Sequence, residues 1–292
     1  MDDGHDDDRQ RAGGHNLSAG DAVAQRENRP NPEDEGRDGK MRPIQLIIIT
    51  AISLGLCVPL LPSFALTGEE ILKKVDEVST APKDIHMISK MILIDSKGNK
   101  KLRKAETFQK NRPEEKRLTR FLEPADQKGI AFLALPNDVQ YVYLPAFRKV
   151  RRIASHVKNT KFAGTDFTYD DLSTFRFSKD FNPKLVETTD QFYILELTPK
   201  PGVKKDYGKL RMWVRRDNFV SVKIEYYDKK GQLWKVLERR DIVKIGNYWT
   251  AKEMEMKDLK ENHSTVIIQE SIEFDTGLSD KIFTPRYLRR AR

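Results

Sequence analysis

From about residue 86 onward the chain alternates between apolar and polar positions. Leu210, Met212 and Val214 fall on one side of a run whose other side carries Lys209, Arg211 and Arg215. Val220, Val222, Ile224 and Tyr226 repeat the pattern, as do Val266, Ile268, Ile272 and Phe274 once a small irregularity is placed near Gln269. A period of two, with one apolar and one wet face, predicts antiparallel strands packed on one side. Other runs, such as HMISKMILI, are apolar on both faces and predict cover on both. About ten such runs follow one another, separated by short polar turns such as SKGNK, RDN, DKKGQ and LKENH.

Helical periodicity is rarer. Thr67-Gly68-Glu69-Glu70 reads as a capping box, and Ile71, Leu72, Val75 and Val78 then share one helical face before Pro82. A short helix is expected near Tyr169, with Asp170 and Asp171 in its first turn, where the helix dipole favours acids. DKIFTPRYLRR offers a third segment, with Phe283, Tyr287 and Leu288 available to pack. A hairpin-connected series with so few helices predicts a mainly β fold of the α+β class. It would be a curved antiparallel sheet forming an incomplete barrel, with helices plugging its concave side.

Ahead of this domain the pattern changes twice. Residues 41–65, MRPIQLIIITAISLGLCVPLLPSFA, combine a basic start, an apolar run and small residues at −3 and −1 from Ala65. These are the parts of a secretory signal with cleavage after Ala65. The run approaches the roughly 20 residues of a membrane span, so an uncleaved anchor is the alternative. Leu56 precedes Cys57 where a lipoprotein signal needs a small residue, which argues against lipidation there. Residues 1–40 hold almost no large apolar side chain, a composition that predicts disorder. Their position before a complete signal suggests Met41 as the initiator, with a solvated cytoplasmic tail as the alternative. The expected organisation is therefore an extension (1–40), a signal (41–65) and one domain (66–292). Export would place that domain in the periplasm.

Charge and cysteine content follow from this division. The full chain carries 53 basic and 44 acidic residues, net +9, whereas residues 66–292 keep 46 and 33, net about +13. An exported basic protein is not expected to meet nucleic acid. Its field would instead steer it toward anionic headgroups or acidic partner faces, or simply keep it soluble. Cys57 is the single cysteine. Without it the domain has no disulfide and folds on its core alone, for which roughly 225 residues suffice.

Chemical motifs are sparse. His86, His156 and His263 lie far apart and show no ligand spacing, so no metal or other cofactor is expected. No G-x-S-x-G, phosphate-binding glycine loop or H-E-x-x-H is present. The stretch GTDFTYDDLSTF, 164–175, concentrates acids and rings. Asp166 with Asp170 could form a carboxylate pair for glycoside hydrolysis, but short acids after a glycine more often cap turns through Asx hydrogen bonds. Arg148, Arg151 and Arg152 could clamp an anion or line a solvated strand edge.

A signal, a capped helix, this meander, the basic RKVRRI and then FAGTDFTYDDL together resemble the LolA-like outer membrane lipoprotein-sorting family. More narrowly, they resemble the branch often found with RND-type lipid exporters. The resemblance spans most of residues 66–292, including the closing IFTPRYLRR. It implies an incomplete barrel closed by helices around an apolar cavity for acyl chains. Phe162, Gly164, Thr165, Asp166, Phe167, Tyr169, Asp170 and Leu172 would then form a lid over the cavity. Arg148, Arg151 and Arg152 would form a basic docking surface. The expected function is a monomeric, non-enzymatic periplasmic carrier that passes lipid or lipoprotein acyl chains towards the outer membrane. An RND-type inner-membrane transporter or a membrane acceptor would be its partner. The alternatives are an accessory subunit of such a transporter that holds no cargo, and a hydrolase using Asp166 and Asp170.

Overall fold

The computed structural model describes residues 66–290. The expectations for residues 1–40 and 41–65 lie outside the described residues. The described unit opens with α1 (Gly68–Ser79), followed by β1 (Asp84–Ile94), β2 (Lys100–Lys110), β3 (Lys116–Glu123), β4 (Ala131–Leu135), β5 (Val139–Leu144) and β6 (Lys149–Arg152). Residues 153–180 then carry α2 (Tyr169–Ser173) and α3 (Phe177–Asp180). A second run comprises β7 (Phe181–Thr188), β8 (Phe192–Pro199), β9 (Tyr207–Arg215), β10 (Ser221–Asp228), β11 (Leu233–Ile245), β12 (Tyr248–Asp258) and β13 (His263–Phe274), before α4 (Pro285–Leu288).

All 13 strands form one antiparallel sheet in the order β6-β5-β4-β3-β2-β1-β13-β12-β11-β10-β9-β8-β7. The first meander runs outward from β1 to one edge, and the second runs inward from the other edge to β13. β1 and β13 join them, and the sheet is left open at β6 and β7. Residues 153–180 therefore connect the two edges of the sheet.

The capping box forms as the sequence predicts. Glu70 accepts from the Thr67 amide at 2.8 Å, and the Glu70 amide donates to the Thr67 hydroxyl at 3.2 Å. Ile71, Leu72 and Val75 are buried and Val78 is half-buried. Ile71, Leu72 and Val75 pack over Leu195, Leu197, Leu210, Met212 and Val214 on one half of the sheet. Helix and sheet approach closely at Gly68, where a Cβ would meet the Leu185 amide nitrogen at 2.9 Å. Over the other half, Phe162 and Tyr169 of the connecting segment pack on Met91, Leu93, Phe121 and Phe132.

Two expectations need correction. First, the helices do not all lie on the plugged face. In β4, Phe132 and Ala134 face the connecting segment, whereas Ala131 and Leu133 pack with Phe283, Tyr287 and Leu288. Neighbouring strand residues point to opposite faces, so the C-terminal segment covers the back of the sheet. Second, Val266 and Ile268 do not share a face with Ile272. The β1–β13 register shifts between Ile88 and Ser89, passing over Glu270. This bulge resets the alternation, so it is Ile267 and Ile272 that share the inner face.

Candidate functional site

Between the sheet and the connecting segment lies a cavity of about 320 Å³. Its floor is the inner face of β1, β2, β3 and β9 to β13, and its roof is the 162–181 stretch. The size falls at the lower end of the ~300–1,000 Å³ range of small-molecule sites. Most of the lining is apolar: Ile85, Met87, Met91, Met254, Ile267 and Ile272 from the floor, Phe167, Leu172 and Phe177 from the roof. Unbranched methionine side chains adapt to irregular occupants better than branched ones.

The roof is fastened at several points. A tight turn runs from Phe162 to Thr165, whose amide donates to the Phe162 carbonyl at 2.9 Å. Ala163 and Gly164 take φ of +47° and +77°, a left-handed pair for which glycine is suited. Thr165 is fully buried, and its hydroxyl returns to the Phe162 carbonyl at 2.8 Å. Asp166 was expected to cap this turn locally, and the structure gives it a tertiary role instead. Its carboxylate accepts from Thr265 Oγ1 at 2.7 Å, contacts His263 Nδ1 at 2.6 Å and pairs with Lys161 at 3.1 Å. Its carbonyl accepts from the buried Lys235 at 2.8 Å.

Phe167 is buried with the α1 cluster, while Phe162 stacks on Phe121 at 5.3 Å and meets Tyr169 edge-on at 5.6 Å. Leu172 packs against both clusters. Thr168 caps α2 with Asp171 as its box partner. Asp171 also accepts from the Tyr207 hydroxyl at 3.0 Å. Asp170 pairs with Lys205 at 2.9 Å, and burial raises its carboxyl above the ordinary range against the pull of that lysine. On the β2–β3 side, Arg103 donates to the Ala163 carbonyl at 2.6 Å and Arg117 donates to the Leu172 carbonyl. The segment is thus strapped to β2, β3, β9, β11 and β13.

All eight residues of the expected lid sit in this segment. Phe162, Thr165, Phe167, Asp170 and Leu172 line the cavity, whereas Gly164, Asp166 and Tyr169 shape or anchor the roof. Asp170 and Lys205 also border a second, more polar depression of about 790 Å³. Arg148, Arg151 and Arg152 lie elsewhere, exposed at the β6 edge, with Arg151 over the exposed Phe147 ring at 5.9 Å. Among the described residues no cluster of three or more His, Cys, Asp or Glu could hold a metal ion.

The floor residues escape a motif search because they are ordinary strand residues. A signal exists for Lys235 and Arg239: both fall two positions from the buried Leu237, on the inward side of β11. A cation on an apolar strand face marks either a buried ion pair or a ligand contact.

Comparison with known proteins bears on this arrangement. A family model described as "Uncharacterized protein" matches residues 113–290. The chain is similar, at 31% identity and a TM-score of 0.71, to a DUF1329 family protein from Desulfovibrio piger, over 76% of this chain and 97% of that one. It is also similar, at 31% identity and a TM-score of 0.67, to a domain from Vibrio parahaemolyticus named for outer membrane lipoprotein sorting, over 76% of this chain and 98% of that one. The chain belongs to the LolA-like outer membrane lipoprotein-sorting family. A LolA superfamily protein from Nitrosomonas europaea shares the fold, with a TM-score of 0.63 and 24% identity over 76% of this chain and all of that one. No curated protein matches. The LolA-like fold accounts for the open sheet and for the helical segment that covers its inner face. Among the described residues no helix is long and apolar enough to cross a membrane.

Proposed function

We propose that this protein is a periplasmic carrier that holds lipid or lipoprotein acyl chains under the 162–181 segment and passes them towards the outer membrane without covalent chemistry. The observation that carries this reading is the roofed apolar cavity of about 320 Å³. Each methylene kept out of water is worth about 0.8 kcal/mol, so such a cavity replaces the bilayer as shelter for a chain and lets it cross an aqueous space without covalent chemistry. The roof supports the reading too. It is fastened by polar ties to five strands, and ties of this kind exchange with water when the segment lifts. Release then requires an acceptor that offers a better site or displaces the roof. An RND-type inner-membrane transporter or a membrane acceptor fits that requirement, and the basic β6 edge is the surface we assign to the encounter. Asp166 and Asp170 serve as anchors in this scheme, since each carboxylate is already engaged by cationic or hydrogen-bonding partners.

Filling the cavity tests the reading. Met254→Trp and Ile272→Trp each add a ring to the floor, and overpacking of this kind typically costs about 1–3 kcal/mol. Variants that remain folded are expected to take up a fluorescent fatty acid at least tenfold more weakly than the parent. Unchanged uptake in both folded variants would place the probe elsewhere and remove the cavity from the proposal.

A further inference from the structure

The cavity wall carries more positive charge than an acyl chain needs. Asp170 is paired with Lys205 at 2.9 Å, and Asp171 lies 3.7 Å from Lys235, so those charges offset each other. Two guanidiniums remain in the lining, those of Arg117 and Arg239. Arg117 has its N–H groups committed: Nε and Nη2 donate to Gln109 Oε1 at 3.0 and 2.7 Å, and Nη1 donates to the Leu172 carbonyl. Arg239 differs. Only its Nη1 is engaged, at 2.9 Å with the Ser221 carbonyl and 2.6 Å with the Ser221 hydroxyl. Its Nε and Nη2 have no acceptor among the described residues. Burial holds this guanidinium below its ordinary pKa, with Tyr226 opposing. The guanidinium is half-buried and held only by neutral dipoles, and a charge-assisted hydrogen bond to an anion is the contact that would engage its remaining donors.

The floor beside Arg239 is a single row of cross-strand neighbours. Arg239 on β11 pairs with Met254 on β12, Met254 with Ile267 on β13, and Ile267 with Met91 on β1. All four line the cavity. At a strand spacing of ~4.8 Å the row is about 14 Å long. It begins at a cation with free donors and continues as an apolar track.

We propose that the cavity selects an anionic amphiphile, an acyl chain bearing a carboxylate or phosphate, with its headgroup on Arg239 and its chain along Met254, Ile267 and Met91. The proposal rests on the carrier reading and adds the charge of the cargo to it. An uncharged hydroxyl end offers the Arg239 donors a single neutral acceptor, whereas a carboxylate or phosphate offers each donor a charged oxygen.

Dodecanoate, dodecyl phosphate and dodecanol share a chain and differ in headgroup, so calorimetric titration of each into delipidated protein tests the assignment. Both anions, or one of them, should bind about tenfold or more tightly than dodecanol. A preference between the two anions identifies the headgroup. Arg239→Gln should bring the anions to the level of dodecanol and leave dodecanol itself unchanged, while Arg239→Lys should retain part of the preference. Equal binding of all three ligands by the parent protein overturns the anionic assignment and leaves the carrier reading intact. A preference that survives Arg239→Gln overturns Arg239 as its source. If none of the three binds, the carrier reading itself fails. Should Arg239→Gln not fold, the ranking by the parent protein and by Arg239→Lys decides.

Discussion

Asp166 has no exposed surface, and its carboxylate is divided among Thr265, His263 and Lys161. Breaking a buried ion pair from one side typically costs about 3–5 kcal/mol, because the remaining charge stays desolvated. Asn at this position keeps the volume but turns an NH2 donor toward groups that are themselves donors. Asp166→Asn is therefore expected to destabilise the protein by about 3 kcal/mol, read from the denaturant midpoint. Phe167→Ala should cost about 3–5 kcal/mol, since it empties a buried ring position at the edge of the cavity. A cost within about 1 kcal/mol for Asp166→Asn would return this residue to the local turn that the sequence suggests. The sequence draws attention to Asp166 as a local turn residue, whereas its partners in the structure are tertiary. Gly164 and the neighbouring acids are local signals, whereas Thr265 and His263 lie about a hundred positions away. Nothing in the spacing links them.

At the level of elements, the alternation of β9 and β10 and the capping box of α1 are legible because one face of each is buried: Leu210, Met212, Val214 and Ile224 are fully covered. The strands that escape the pattern are β6 and β7, the two edges of the sheet. β6 reads KVRR and β7 contains Pro183. Charge and proline are how exposed edges are kept from pairing with other chains, so the features that protect these strands also hide them from a search for alternating apolar residues. The face assignment of β13 fails for a different reason, because the bulge at Glu270 follows from pairing with β1. The β6 edge also carries the charge that we assign to encounter. Replacing Arg148, Arg151 and Arg152 with Gln should slow association with anionic vesicles and flatten its dependence on salt, with little change in cavity affinity. Equal association rates at low ionic strength would leave these arginines as a solvated edge.

For the domain as a whole, two meanders meet at β1 and β13, and the segment joining their outer edges becomes the roof of a cavity. The roof is therefore a consequence of topology: a chain that leaves one edge of an open sheet and enters the other must cross a face. That face holds the apolar floor, and the composition of residues 162–181 supplies both the rings that cover it and the charges that tie it down. The carrier account requires that this space be occupied by an acyl chain during function. Native mass spectrometry of gently purified residues 66–292, followed by solvent extraction and lipid analysis, examines that requirement directly. The account predicts a bound species near one chain-bearing lipid per protein, reduced in Met254→Trp and Ile272→Trp. A protein that emerges free of lipid, and that takes up no acyl ligand when one is added, would contradict it.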